Sequence, residues 1–192
     1  MDILQQKPHT KRPAIVQAAL SLFAERGRNG TSMRDIARAA GVQEAAIYRH
    51  FSSKEALARE IFLSAYIWHC TRVQGIVTGG APLTDTLRAI VQQEFGMAER
   101  YPEAFVYVCE NEQKFFADLP AGVSTVRTLL TEFITHGQER GELATGDPEL
   151  IADMLSGALC EVALSWVRRQ QGDQLRCHTD LVAQKCWSMM CR

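Results

Sequence analysis

The sequence predicts an all-α protein: an N-terminal three-helix helix-turn-helix domain followed by a larger helical bundle. Two observations carry that expectation. Apolar residues recur at helical spacing from residue 15 to residue 190, with Gly or Pro punctuating the stripes, and no segment shows the strict alternation of a half-buried strand. Of the 192 residues, 46% are hydrophobic and 22% charged, which suits a folded chain with a real core and excludes a disordered one.

Ile15, Ala19, Leu22 and Phe23 form the first stripe, with Thr10 as its expected cap, Pro13 tolerated in the first turn and Gly27 ending it. Thr31 is the expected cap of a short second helix over 32–39, stopped by Gly41, and a third short helix spans about 43–50. Ser52 and Glu55 have capping-box spacing and open a long helix with Leu57, Ile61, Ala65 and Trp68 on one face, running to about Val77. After the Gly79–Pro82 break come helices over 84–100 and 103–116, separated by Tyr101-Pro102. Val126, Leu130, Phe133, Ile134 and Gly137 mark the next. Asp147-Pro148 is a cap followed by proline at the first helical position, opening a helix to about Gln171. Its apolar residues cover more than one face, so burial on two sides is expected. Gly172-Asp173 ends it, and Val182, Cys186, Met189 and Met190 form a last stripe.

Charge is unevenly spread. Residues 1–63 carry ten Lys/Arg against six Asp/Glu, and residues 64–192 eleven against sixteen. A basic front on a mildly acidic body suits a chain whose first third meets a polyanion. The N-terminus lacks the apolar stretch of a secretion signal, and no run approaches the ~18 apolar residues of a membrane span. The expectation is a soluble, cytoplasmic protein with no membrane partner.

Six cysteines, at 70, 109, 160, 177, 186 and 191, include no CxxC pair and no Cys/His cluster of zinc-site spacing. Reduced, mostly buried thiols are the plain expectation, with a redox- or electrophile-sensing thiol as the alternative. No cofactor or metal is expected. Neither a Gly-rich phosphate loop, a nucleophile elbow nor an HExxH pair is present, so an enzyme is not expected.

The turn between the second and third helices carries the function. Ile36, Ala37, Ala40, Val42, Ile47 and Phe51 let two short helices cross tightly, while Gln43, Glu44, Ala45, Tyr48 and Arg49 point outward. Such a helix fits a major groove; the same pattern also describes a three-helix bundle with a solvated polar face.

The segments Ala18–Gly27 (AALSLFAERG), Thr31–Val42 (TSMRDIARAAGV) and Ala46–Leu57 (AIYRHFSSKEAL) resemble the DNA-binding region of the TetR family of transcriptional repressors. The resemblance covers about 45 residues, and the rest of the chain matches only in style. It implies a homodimer on a palindromic operator of double-stranded DNA, and a divergent body that binds a small-molecule effector. The implied division is a flexible arm over 1–9, a DNA-binding domain over 10–60, and a ligand-binding and dimerisation domain over 61–192. Carried over, Thr31, Ser32, Tyr48, His50 and Lys54 look like phosphate contacts, and Gln43, Glu44 and Arg49 like base-edge contacts, with Ala45 beside them; Arg34 on the second helix either pairs with Asp35 or reaches a phosphate. Gln43 departs from the small or hydroxylated residue usual there, which leaves the cap of the third helix in doubt. The late helix and the last one resemble the family's dimer-forming pair, with Met154, Leu155, Ala158, Val162 and Trp166 as contributors.

In the body, Trp68, Glu94, Phe95, Tyr107, Cys109, Phe116, Phe133 and Trp166 are the candidate effector contacts. Plain core is the alternative for most of them. Glu94 is the informative one, because it falls within the stripe of Leu87, Ile90 and Val91 and a charge there needs a partner.

Overall fold

The computed structural model describes residues 11–169 and 174–191. The expected N-terminal arm, the Thr10 cap and the breaker at Gly172-Asp173 lie outside the described residues. Regular structure among the described residues is entirely helical: α1 Lys11–Arg26, α2 Met33–Ala39, α3 Glu44–Tyr48, α4 Lys54–Val77, α5 Leu83–Arg100, α6 Pro102–Phe115, α7 Val126–Glu139, α8 Pro148–Arg169 and α9 Thr179–Met190, with short 3₁₀ turns at Phe116–Asp118 and Leu175–His178.

The chain forms two compact units that are not contiguous in sequence. One comprises Met1–Trp68 with Glu103–Pro120, the other His69–Pro102 with Ala121–Arg192. Within the first unit α6 packs with α1 and α4. Ser21 and Gln17 of α1 donate to Glu103, each at 2.9 Å. The Tyr107 ring stacks on Phe23, with centroids 5.6 Å apart, and its hydroxyl donates to the Ala58 carbonyl at 3.1 Å. Phe115 packs against Phe62, and Tyr66 donates to Glu112 at 2.7 Å. Burial of Tyr107 pushes its phenol pKa well above the ordinary value. Sequence periodicity gives each helix an inward stripe but does not say which neighbour receives it.

Two expected caps shift by one residue. Ser32, not Thr31, caps α2. Its hydroxyl accepts from the Asp35 N–H at 3.1 Å while the Asp35 carboxylate accepts from the Ser32 N–H at 3.0 Å, a reciprocal box. At α4, Ser53 rather than Ser52 accepts from a backbone N–H, that of Ala56, at 3.1 Å, and Glu55 is drawn away to Arg28 and Lys114 instead of reaching back. Adjacent hydroxyls compete for one cap, and which wins depends on the incoming turn. Asp147 does cap α8, accepting from Glu149 N at 3.0 Å and Leu150 N at 3.4 Å.

In the second unit, α8 buries only one stripe, Ala152, Leu155, Leu159, Ala163 and Leu164. The expectation that it is covered on two sides does not hold within the chain: Leu150, Met154 and Val162 are 58%, 50% and 39% exposed, and Gly157 and Ala158 beside them are open. On α9 the buried stripe is Thr179, Ala183, Cys186 and Met190, while Met189, expected inside, is 46% exposed, as is Leu181 at 54%. By length and composition α8 is also long and apolar enough to cross a membrane, contrary to the expectation from apolar runs. Asp153 and Glu161 interrupt its outer side, and Asp153 pairs with Arg127 of α7 at 2.8 Å.

No disulfide joins the six cysteines. They are less buried than expected: Cys70 and Cys186 are inside, Cys109, Cys160 and Cys191 half-buried, and Cys177 exposed. Burial pushes the Cys186 thiol pKa up, which keeps it protonated and unreactive.

Candidate nucleic-acid interface

α3 has five residues, too few to be stable alone, so the site depends on what holds it. α2 ends at Ala40, whose N–H donates to the Ile36 carbonyl at 2.9 Å. Gly41 then takes φ +65°, a left-handed conformation that disfavours any residue with a Cβ, and the Val42 N–H returns to the Ala37 carbonyl at 3.0 Å. This turn sets the crossing of α2 and α3. Ile36, Ala37, Ala46, Ile47 and Phe51 are all buried beneath it. Gln43 occupies the N-cap of α3 with extended backbone (φ −73°, ψ 144°) and makes no side-chain cap, as its departure from the usual residue type suggested. Its amide is therefore not committed to its own helix.

The outward face is as expected. Gln43, Glu44, Ala45, Tyr48, Arg49 and His50 are all exposed, with Tyr48 half uncovered. Ser32 and Arg34 are exposed on α2. Arg34 and Arg49 make no ion pair among the described residues, so both guanidinium groups are available to an outside anion. Arg38 lies 4.0 Å from Asp35. Hydrogen bonds from Ser32 hold the Asp35 carboxyl below its ordinary pKa.

Two expected phosphate contacts have other work. Thr31 is buried, and its hydroxyl donates to the carbonyls of Gly27 (2.9 Å) and Leu22 (3.3 Å), closing the end of α1. The side chain does not face outward, because these two carbonyls at the end of α1 take up its hydroxyl inside the fold. The Lys54 ammonium donates to the carbonyls of Arg28 (2.7 Å) and Thr31 (2.6 Å), which pins the loop between α1 and α2 to the start of α4. An ammonium has three N–H donors, so one remains for a phosphate. Sequence spacing does not reveal this lock, because its acceptors are backbone groups 26 and 23 residues away. Around it, Arg28 grips Glu55 with bonds of 2.8 and 2.7 Å, and Lys114 reaches the same carboxylate at 2.9 Å. Arg12 pairs with Glu60 and lies over the Phe51 ring. Much of the head's basic charge is thus spent on its own architecture.

The candidate effector contacts divide between the units. Phe95 and Phe133 are core residues of the second unit, 0% and 2% exposed, and Tyr107 is core of the first. Phe116 is 49% exposed and lines no interior, because the chain leaves α6 there for a 3₁₀ turn. Trp68, Cys109 and Trp166 are half-buried. Glu94 has its partner: the imidazole Nε2 of His69 lies 2.9 Å from its carboxylate, both side chains inside the second unit. Sequence reasoning missed His69, although Ala65, His69 and Val73 fall at i, i+4 and i+8 of the buried stripe of α4. Among the described residues, no group of three or more His, Cys, Asp or Glu is placed to hold a metal ion.

A glycine-turned helix pair with a polar, exposed second helix is the architecture of a helix-turn-helix DNA-binding head. The chain matches, over residues 15–61, the family model described as "Bacterial regulatory proteins, tetR family". Over 114 residues it is 32% identical to the HTH-type transcriptional repressor KstR2 of Mycolicibacterium smegmatis, a match covering 59% of this chain and 55% of that protein. The matched region thus spans just over half the length of that relative. Among solved structures it shares the fold of the ketosteroid transcriptional regulator KstR2 of Mycobacterium tuberculosis, with TM-score 0.82, 21% identity and 97% coverage of both chains. The Bacillus subtilis regulator FadR, solved in complex with stearoyl-CoA, gives TM-score 0.74 at 20% identity, covering 91% of this chain and 97% of its own. All three are named as regulators of transcription rather than enzymes.

Proposed function

We propose that the protein is a cytoplasmic, homodimeric, sequence-specific DNA-binding repressor that leaves a palindromic operator when a small molecule occupies the body of the chain. The observation that carries this reading is the exposed face of α3, held on a buried α2–α3 turn. Residues 10–60 serve as the DNA-binding portion and 61–192 as the sensing and dimerising portion. Ser32, Arg34, the Tyr48 hydroxyl, His50 and the spare donor of Lys54 anchor phosphates, while Gln43, Glu44, Ala45 and Arg49 face the bases.

A second copy of the chain is the proposed cover for the outer sides of α8 and α9, where Leu150, Met154, Val162, Leu181 and Met189 stand between 39% and 58% exposed. Symmetric pairing of that surface would present two α3 helices to successive major grooves, about 34–36 Å apart. α4 contributes residues to both units and is the proposed carrier of the effector's influence. Coupling of about 1–3 kcal/mol between the two ligands would follow from one shared conformational equilibrium. Glu94 with His69, and the half-buried Trp166 of the same unit, are the proposed effector contacts. Stearoyl-CoA, bound by the structural neighbour FadR, is the first effector to try.

The test combines sedimentation of the purified protein with a salt titration of binding to duplexes enriched from a randomised library. A dimer whose affinity for enriched DNA falls steeply with salt supports the reading. A monomer with no preference for any duplex at low ionic strength overturns it.

A further inference from the structure

An α-helix turns about 100° per residue. In α3, Ala46 and Ile47 are 2% and 0% exposed, and the line between them fixes the inward direction. From that line Ala45 and Tyr48 each point about 150° away, while Glu44 and Arg49 each point about 110° away on opposite flanks. The outermost line of the helix is therefore a lone methyl group beside an aromatic ring, with the charged side chains set back to either side. Both Ala45 and Tyr48 are exposed.

A helix lying in a major groove presents its outermost line to the base edges. Ala45 carries one side-chain carbon, with no donor or acceptor, so it cannot read a hydrogen-bond pattern. Its shortness lets the helix backbone approach closely. The apolar feature that a base pair displays in that groove is the C5-methyl group of thymine. The ring of Tyr48, three residues on and on the same line, offers a second apolar edge.

We propose that Ala45, flanked by the Tyr48 ring, recognises the C5-methyl of one thymine in each half-site. Glu44 and Arg49, on the flanks, take neighbouring base edges. The proposal rests on the DNA-binding reading above and specifies what the centre of the recognition face selects.

Duplexes enriched by the full-length protein from a randomised library are resynthesised with deoxyuridine replacing thymine at one position at a time. The exchange removes the methyl group and leaves Watson–Crick pairing intact. At one position per half-site, affinity should fall about fourfold, the size of one buried methyl, with ratios near one elsewhere. In Ala45→Gly the thymine-to-uracil ratio at that position should fall to near one. Because the ratio is internal to each protein, a general weakening of the helix cancels. Ala45→Asn, which supplies a donor and an acceptor, should shift the enriched base there from thymine to adenine. Equal binding of every uracil-substituted duplex, or an unchanged ratio in Ala45→Gly, overturns the proposal while DNA binding stands. Failure to enrich any duplex overturns the DNA-binding reading, and the proposal with it.

Discussion

Among the described residues, α3 and α8 both present exposed outward faces, yet their chemistry is opposite. α3 offers an amide, a carboxylate, a phenol and a guanidinium around one small methyl. α8 offers Leu150, Met154, Ala158 and Val162, with charge confined to positions such as Asp153 and Glu161. Exposed polar groups cost nothing while hydrated and gain directional bonds when a charged, patterned surface arrives. An exposed apolar stripe is costly in water and is relieved by any complementary apolar surface, which in a dimer is its own copy. The contrast is the reason DNA is proposed for the first face and a second copy for the other.

The largest expected effect comes from breaking the apolar face. Met154→Glu places a charge where the partner's stripe would lie, and the side chain is half exposed, so the monomer should fold normally by circular dichroism. Sedimentation should then show a monomer, and affinity for enriched operator DNA should fall about 10²–10⁴-fold as the two heads lose their linkage. An intact dimer would assign the stripe to some other use.

Next is the floor beneath the polar face. Ile36→Ala removes a fully buried side chain under the turn and should cost about 2–5 kcal/mol of stability, read by chemical denaturation. A loss below 1 kcal/mol would mean that the turn does not depend on this packing.

Lys54 and Arg49 should then separate architecture from recognition. Lys54→Ala deletes two charge-assisted bonds to carbonyls and should destabilise the free protein by about 1–3 kcal/mol, besides weakening every duplex alike. Arg49→Ala should leave thermal stability unchanged and alter the enriched sequence. Equal Tm for the two variants would contradict the loop lock.

The smallest effect concerns the cap of α2. The Asp35 pKa is lowered in the folded chain by its bonds to Ser32, so the carboxylate form is favoured by folding. Its stabilising contribution is present above the unfolded value near 3.8 and is lost as pH falls through the lowered folded value. Ser32→Ala should lower Tm by about 2–4 °C at neutral pH. The difference from wild type should shrink in acid; a constant difference down to pH 2 would separate the cap from Asp35 ionisation.

Much of the helical order and the outward set of α3 was legible in the sequence, because both follow from short-range periodicity and from Gly41. The reciprocal cap was legible only to within one residue, since Thr31 and Ser32 are chemically alike and only the course of the loop separates them. The inward turn of Thr31, the lock made by Lys54 and the His69 partner of Glu94 were not legible. Each pairs a side chain with a group more than one helical turn away, and the separation in sequence carries no signal.

What the sequence determined by itself was the local chemistry: which stretches are helical, where they break, and which short helix displays polar groups outward. Those properties depend on residues within a few positions of one another, where backbone geometry fixes the neighbours. Tertiary structure alone decided that α6 packs with the head, that α8 leaves Leu150, Met154 and Val162 uncovered, and that much of the head's basic charge is internally paired. Such outcomes depend on which distant surfaces meet, and a stripe of apolar or charged residues is equally compatible with several partners until the chain has folded around one.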